Sequence, residues 1–393
     1  MLRDKEYFVV RVDLVIAGAG FAGLACARAA AARGLRVVVL ERKLDPGASC
    51  RTTGILVEEA AAALDFPRRL ARKVSGVRLY GPSLRSIDLE RPSYRFHATD
   101  TPGLLRWLAR EAVRAGAEVR CGEPYEGAQR TGPLLGLEGR GLETRFLVGA
   151  DGARSRVAGD FDLGRNRSFL AGVELELEGV EGVDADRLHV FLDPALARGY
   201  IAWAVPGVGG ITQVGLCARP PHRPRLDLLL ERLTRLFDFR SARALERRAG
   251  LIPVGGPVRP WAAPGVLLLG DAAGQVSPLT GGGIHAALRT GRRAGQAIAE
   301  HLLESGPEPS AALGPHLSSY RWKALLRRAF DLGAPAWMID LALPVLGPLA
   351  RLVFFHERGL CSSAAWRDLF RRRPLRSPAE GAATAVPDET SSA

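Results

Sequence analysis

The sequence predicts an α/β fold in which a Rossmann-type sheet is interrupted by an antiparallel β-sheet domain and followed by C-terminal helices. Three observations carry that expectation. Near the start, "DLVIAGAGFAGLACARAAAARGLRVVVLER" runs from buried strand through glycine turn and alanine-rich helix to a second buried strand, the pattern of a βαβ unit. Residues 169–215 break into runs of period near two, punctuated by glycine and proline. A late run, "GVLLLGD", returns to a continuous apolar strand of the first kind.

Taken in order, residues 13–17 read as the first strand, 21–33 as a helix with Gly34 as its stop, and 37–40 as the second strand. Between Leu70 and His97, "GVRLYGPSLRSIDLE" has strand composition and turn residues without a helical period. "LLRWLAREAVRAGAEVRC" is a helix followed by a short strand around Val119, and 131–148 holds two strand-like runs. Residues 226–245 read as a helix, "GLIPVGG" as a strand, and helices continue to about Arg373. The closing "SPAEGAATAVPDETSSA" is too small and polar to order itself, and no repeat of solenoid period is present. The expected domains are a cofactor-binding domain at 8–70, 98–160 and 261–305 and a substrate sheet domain at 71–97 and 161–260. A helical cap at 306–375 and a disordered tail at 376–393 complete the expectation.

A chain of 393 residues, 47% hydrophobic, can bury a large core. Its formal net charge of +12, carried almost wholly by arginine, fits anionic ligands or an anionic lipid surface, or reflects a bias toward arginine and alanine. No nucleic-acid module appears, so no nucleic-acid partner is expected. Cys26, Cys50, Cys121, Cys217 and Cys361 show neither CxxC pairing nor metal-ligand spacing, which argues against a disulfide framework or a metal site. The run "FVVRVDLVIAGAG" is broken by Arg11 and Asp13 and reads as a strand, not a signal peptide, so a cytoplasmic protein is expected. "APAWMIDLALPVLGPLARLVFF" carries Asp340, Pro344, Pro348 and Arg351, whereas a spanning helix needs roughly 20 nearly uninterrupted apolar residues. Docking helices are expected there, either packed as a cap or lying against the inner membrane face between flanking arginines.

The chemistry concentrates in two glycine loops. Gly18, Gly20 and Gly23 form GxGxxG between a strand and a helix, where the first permits a tight turn, the second lets backbone approach a pyrophosphate and the third lets helix and strand pack closely. Glu41 ends the second strand about twenty residues on, placed to accept ribose hydroxyls; an acidic residue there fits FAD or NAD. In "LLLGDAAGQVSPLTGGGI", Asp271 can face the middle of a long ligand whose pyrophosphate lies on the first loop. The helix that follows offers N-terminal amides to a partial negative charge. FAD has that shape.

"GAGFAG" with Glu41, "VGADGARSRV" and "GDAAGQVSPLTGGGI" together resemble the flavoproteins of the p-hydroxybenzoate hydroxylase fold, and within them most resemble the geranylgeranyl reductase family. The resemblance covers roughly residues 10–303. It implies a FAD-binding Rossmann-type domain interrupted by an antiparallel β-sheet substrate domain, in an oxidoreductase that saturates polyprenyl chains. It places Gly18, Gly20, Phe21, Ala22, Gly23, Glu41 and Arg42 around the ADP half of FAD, with Val119 completing that lining. Asp151 lies near the pyrophosphate, Asp271 on the ribityl chain, and Gly282, Gly283 and Ile284 at the flavin edge. Arg51 follows in the loop after Glu41, either over the flavin or paired with a carboxylate.

On the substrate side, "GYIAWAVPG" is similar to the Y-x-W-x-F-P strand of the reductases, with Tyr200 and Trp203 separated by two residues instead of one; in a strand that spacing turns them to opposite faces. Trp203 is either sheet core or substrate wall, and Cys50 a packing residue beside flavin and substrate. No residue is singled out as an acid, base or nucleophile. The expected enzyme is a FAD-dependent oxidoreductase reducing double bonds of a hydrophobic small molecule or lipid, of isoprenoid type, with NAD(P)H as a transient donor. The alternative is a FAD-dependent monooxygenase using NAD(P)H and oxygen.

Overall fold

The computed structural model describes residues 9–317, 327–328, 331 and 333–355, all within the unit Met1–Glu357. Strand β1 (Val10–Ala17), helix α1 (Phe21–Ala31) and strand β2 (Val37–Glu41) form the βαβ unit expected from the sequence. Every residue of β2 is buried, as a strand covered on both faces requires. Gly34, at φ +91°, lets the chain leave α1 through a turn that closes Gly34 N–H onto the Ala31 carbonyl at 2.8 Å.

Next come β3 (Ile55–Leu56), α2 (Glu58–Leu64), β4 (Ala71–Val74), β5 (Gly76–Tyr80), β6 (Ser86–Glu90) and β7 (Phe96–Thr99). Helix α3 (Thr101–Arg114) starts where Asp100 accepts from the Gly103 amide at 2.9 Å and Pro102 occupies the first turn, a combination that fixes a helix start. After it come β8 (Glu118–Cys121), β9 (Ala128–Thr131), β10 (Leu134–Leu137), β11 (Leu142–Gly149) and the short α4 (Val157–Asp160). The middle section holds β12 (Phe169–Glu178), β13 (Arg187–Phe191), β14 (Ala202–Pro206), β15 (Thr212–Ala218), α5 (Leu226–Leu233) and β16 (Arg243–Pro253). Strands β17 (Ala262–Ala263) and β18 (Val266–Leu268) precede α6 (Ile284–Glu304), α7 (Pro309–Leu317) and α8 (Ala336–Phe355).

The first sheet runs β17-β18-β11-β1-β2-β8, with β9 and β10 joined to β11 as an antiparallel flap. Its centre is parallel: β1 lies between β11 and β2, and β18, some 250 residues later than β1, pairs in parallel with β11. The second sheet runs β16-β12-β15-β14-β13-β5-β6, antiparallel except where β13 meets β5. Of the segment 71–97, only β5 and β6 join it, while β7 pairs with both β3 and β4 in a third, three-stranded sheet.

Two local expectations are corrected. The helix expected over 226–245 ends at Leu233, because Glu181 and Asp238 exchange backbone hydrogen bonds at 3.0 Å in each direction and pull the chain out of the helical path. Residues 243–253, whose first half "RALERR" looks helical, form the long β16, held along β12 in ten paired positions. Part of the expected cap, the tail at 376–393 and Cys361 lie outside the described residues. Among the described residues, no helix is long and apolar enough to cross a membrane.

Helices α1 and α6 pack unusually closely. A Cβ at Gly291 would lie 2.3 Å from the Ala22 carbonyl oxygen and one at Gly295 2.4 Å from that of Cys26, so glycine is required one turn apart along α6. Gly295→Val should therefore cost about 3 kcal/mol by overpacking against backbone that cannot yield. Gly314→Ala, in α7 with nothing within 4 Å of its Cβ, should gain roughly 0.5–1 kcal/mol. Denaturant titration of both variants checks this; equal stability of the two would show that the α1–α6 approach is not constrained.

Candidate functional site

The β1–α1 loop is shaped by backbone contact. Gly18 sits at φ +103° with its Cβ position 2.4 Å from the Ala150 oxygen, which presses the loop against the turn after β11. A Cβ at Gly23 would fall 2.0 Å from the Gly18 oxygen, whereas the space beside Gly20 is open to 4 Å, leaving room for a ligand at the tip of the loop. Phe21, Ala22 and Gly23 form the first turn of α1, which carries no acidic residue, so its unpaired amides and positive dipole end are available to an anion. Buried Glu41 accepts from the Ala19 amide at 2.8 Å through Oε2 and from the Lys43 amide at 3.0 Å through Oε1. The carboxylate thus braces the loop and keeps further lone pairs for hydroxyl donors.

The late glycine motif lies against the same turn of α1. Gly270, at φ +58°, opens a 3-10 turn, and its Cβ position is 2.9 Å from the Ala22 Cβ. Gln275 Oε1 accepts from the Gly270 amide at 3.0 Å and from the Thr290 hydroxyl at 2.6 Å, tying the turn to α6. Asp271 keeps some exposed surface, yet burial alone pushes its carboxyl up to about 6, because no hydrogen-bond donor among the described residues reaches it. Its Oδ1 lies 3.4 Å from the Cβ position of Gly283, the residue that opens α6. The loop between is stapled by Gly281 N–H to the Ser277 oxygen at 2.9 Å and Ser277 N–H to the Gly282 oxygen at 3.0 Å. Ile284 then begins α6, whose first turn also lacks an acidic residue.

The other sequence candidates separate. The Cα of Asp151 is 3.2 Å from the Gly18 Cβ position, next to the first loop. Its Oδ2 accepts from the Arg156 and Val157 amides at 2.6 and 3.2 Å; among the described residues Oδ1 is buried without a hydrogen-bond partner, and burial raises the carboxyl against the opposing hydrogen bonds of Ser155, Val157 and Arg156. Arg42 is exposed beyond Glu41. Val119 lines an open groove of about 470 Å³ between α3 and β8, with Pro46, Arg106 and Cys121. Arg51 is exposed, and its Cβ lies 3.3 Å from the Cβ position of Gly250 on β16. Cys50 donates to the Gly47 oxygen at 3.2 Å, and burial pushes its thiol up to about 11, so it stays protonated and packs as a small hydrophobe.

Tyr200 and Trp203 are not on opposite faces. Tyr200 follows a turn at Gly199 (φ +76°) and precedes β14, so strand alternation does not govern it; both rings pack on the cluster of Leu170, Cys217 and Val254. The Tyr200 hydroxyl donates to the Thr280 carbonyl, which joins the second sheet to the late glycine loop, and the Arg327 guanidinium lies 5.7 Å from the ring centroid. Trp203 Nε1 donates at 2.9 Å to Glu174 Oε2, a carboxylate that the sequence reading missed. In "VELELE" the alternating glutamates look like a solvent face, yet Glu174 is only 4% exposed. Burial raises its carboxyl, opposed by hydrogen bonds from Thr53 and Trp203 and by the Arg248 charge. The late glycine loop, the loop after β2 and one face of the second sheet therefore converge on one region.

The family model for FAD dependent oxidoreductases matches residues 13–89. The chain is 32% identical to digeranylgeranylglycerophospholipid reductase 2 of Methanopyrus kandleri over 321 residues, 76% of this chain and 79% of the relative. Its fold is that of a geranylgeranyl bacteriochlorophyll reductase-like protein from Thermoplasma acidophilum, with TM-score 0.78 at 21% identity over 91% of this chain and 99% of the other. It is also similar to p-nitrophenol 4-monooxygenase of Pseudomonas putida, with TM-score 0.66 at 17% identity over 91% and 98%. Identity of 32% across 79% of the Methanopyrus kandleri reductase, together with the FAD dependent oxidoreductase match at residues 13–89, makes this chain a member of the geranylgeranyl reductase family of FAD-dependent oxidoreductases.

Proposed function

We propose that this FAD-dependent oxidoreductase saturates carbon–carbon double bonds of an isoprenoid lipid chain, with NAD(P)H or another donor visiting only to deliver electrons. The residues present fit FAD. Open space at Gly20 faces the free amides of α1, Glu41 keeps acceptor capacity, and Asp271 is a carboxylate without a donor of its own. In this reading the α1 amides hold the pyrophosphate, Glu41 accepts ribose hydroxyls, Asp271 accepts a ribityl hydroxyl, and the first turn of α6 favours negative charge at the flavin edge. When bound, FAD supplies the hydride.

The observation that carries the substrate class is the face of the second sheet turned toward the glycine loop. Gly172, Gly215 and Gly250 strip it of their own side chains, and Cys217, Trp203 and the Arg51 stem lie across them. The apolar part of that face, Leu170, Cys217 and Trp203, suits hydrocarbon, whose reduction needs a positioned double bond and excluded water, while Glu174 and Arg248 on the same face are buried against each other. Tyr200 and Trp203 furnish the wall, and the protein's part is to orient.

Helix α8 supports a lipid-side contact. Trp337, Leu341 and Val345, at i, i+4 and i+8, are 66%, 72% and 75% exposed. Leu343 and Phe355 are buried in the core, and Asp340 is fixed by the Ser83 amide at 3.1 Å and hydroxyl at 2.8 Å. The helix is thus anchored on one face and presents an apolar stripe on another, in a chain of net charge +12.

Three outcomes follow. First, FAD affinity of the apoprotein should rise as pH climbs to about 6 and level off above, since a ribityl hydroxyl favours the ionised Asp271 and binding releases its proton. Apoprotein stability should move the other way: the folded pKa exceeds the ordinary 3.8, so the folded state holds the proton more tightly and loses stability from about pH 4 to 6. Asp271→Asn should bind FAD weakly and flatly across that range; an unchanged affinity would remove Asp271 from the site. Second, reduced enzyme given a digeranylgeranyl phospholipid should yield product heavier by two hydrogens per turnover, without oxygen uptake. Oxygen consumed in step with an oxygenated product would make it a monooxygenase instead. Third, the protein should sediment with anionic vesicles at low salt and release as salt screens the charges, with roughly 1 kcal/mol per basic residue at the surface. Leu341→Asp should abolish sedimentation; binding to neutral and anionic vesicles alike would refute the electrostatic contribution.

A further inference from the structure

Four side-chain positions form one row across the second sheet. Trp203 of β14 pairs with Gly215 of β15, Gly215 with Glu174 of β12, and Glu174 with Arg248 of β16. Cross-strand partners share a face, so all four positions point the same way. Gly215 leaves its place empty, and the Trp203 indole fills it: a Cβ there would lie 2.6 Å from Cζ2 and 2.7 Å from Cε2. The ring therefore spans β15 and its N–H reaches Glu174 Oε2 at 2.9 Å.

The same oxygen takes a second donor from a different layer. Thr53 Oγ1, in the loop between β2 and β3, donates to Glu174 Oε2 at 2.5 Å. That loop is itself fixed, because the Thr99 hydroxyl donates to the Gly54 carbonyl at 2.7 Å and a Cβ at Gly54 would strike the Thr101 and Thr99 hydroxyls. The other oxygen, Oε1, makes no hydrogen bond among the described residues and lies 3.5 Å from Arg248 Nη1, while Arg248 is held by Glu176 and Glu246 at 2.6 and 2.8 Å. One buried carboxylate oxygen is thus the joint between the indole and a loop of the nucleotide-binding sheet.

Resting on the isoprenoid reading above, we propose that Glu174 is the positioning residue for Trp203: it clamps the indole across Gly215 and locks it to Thr53, fixing the wall against which the substrate chain lies. Glu174 acts through the ring and does not touch the reacting atoms. A carboxylate suits the task because both donors converge on one oxygen, which a neutral amide serves less strongly and with one end of the wrong sense.

The test uses FAD-loaded Glu174→Gln, Thr53→Val, Trp203→Phe and the Glu174→Gln/Trp203→Phe double variant. Two readouts are taken: the Kd of the oxidised protein for digeranylgeranyl phospholipid, and the emission of Trp203, obtained by subtracting the spectrum of the matching Trp203→Phe protein, which for Thr53→Val is Thr53→Val/Trp203→Phe. Glu174→Gln should weaken binding about tenfold and shift the Trp203 emission, with flavin content unchanged, and Thr53→Val should do the same about threefold. The double variant should bind no worse than Trp203→Phe within twofold, because a residue acting through the indole has nothing left to position. Multiplying effects, or unchanged emission and Kd in both Glu174→Gln and Thr53→Val, would overturn the proposal. Should the wild-type protein bind no isoprenoid while the emission still shifts, the substrate reading falls and the clamp stands.

Discussion

The site exists because two helices from opposite ends of the chain approach to backbone contact. The Ala22 carbonyl lies 2.3 Å from where a Gly291 Cβ would stand, and the Ala22 side chain lies 2.9 Å from the Gly270 Cβ position. No side chain larger than hydrogen fits at either glycine without moving the first turn of α1. That approach brings the late carboxylate and the start of α6 onto the β1–α1 loop, and it explains why glycines recur so densely after a strand that returns to the first sheet. The pairing of β18 with β11 supplies the coarse placement, and the glycines supply the last ångströms.

Within that frame two carboxylates are treated oppositely. Glu41 is buried yet supplied with two backbone donors, which make it part of the loop's own structure. Among the described residues Asp271 receives no donor, and it is left with the cost of desolvation, visible in a pKa pushed up to about 6. A protein gains nothing in stability from an unsatisfied carboxylate, so the deficit points outward, to a ligand that brings the missing donor. Asp151 sits between the two cases: one oxygen braces the start of α4, and the other is buried with no hydrogen-bond partner among the described residues.

The sequence made the βαβ unit, the glycine loop, Glu41 and the return of "GVLLLGD" to the first sheet legible, because each is encoded by neighbouring residues: apolar runs, a turn and a stop. Elements set by distant partners were less legible. "RALERR" carries helix-forming residues, but pairing along β12 makes it a strand, and α5 stops early because Asp238 meets Glu181. Tyr200 was misplaced for a related reason: the alternation rule needs a strand, and the turn at Gly199 delays the strand to Ala202.

The Glu174 row was hidden most completely, for a reason that follows from sheets in general. In one strand, Glu174, Glu176 and Glu178 alternate with Val173, Leu175 and Leu177, and a face of glutamates reads as solvated. What buries Glu174 is the register of three other strands and a loop more than a hundred residues earlier: Trp203 can reach it only because Gly215 stands between them, and Thr53 only because β3 and β7 hold its loop. None of those partners is informative alone. A charged residue becomes part of a site when its neighbours across the sheet leave it space and supply donors, and both conditions are properties of the assembled sheet.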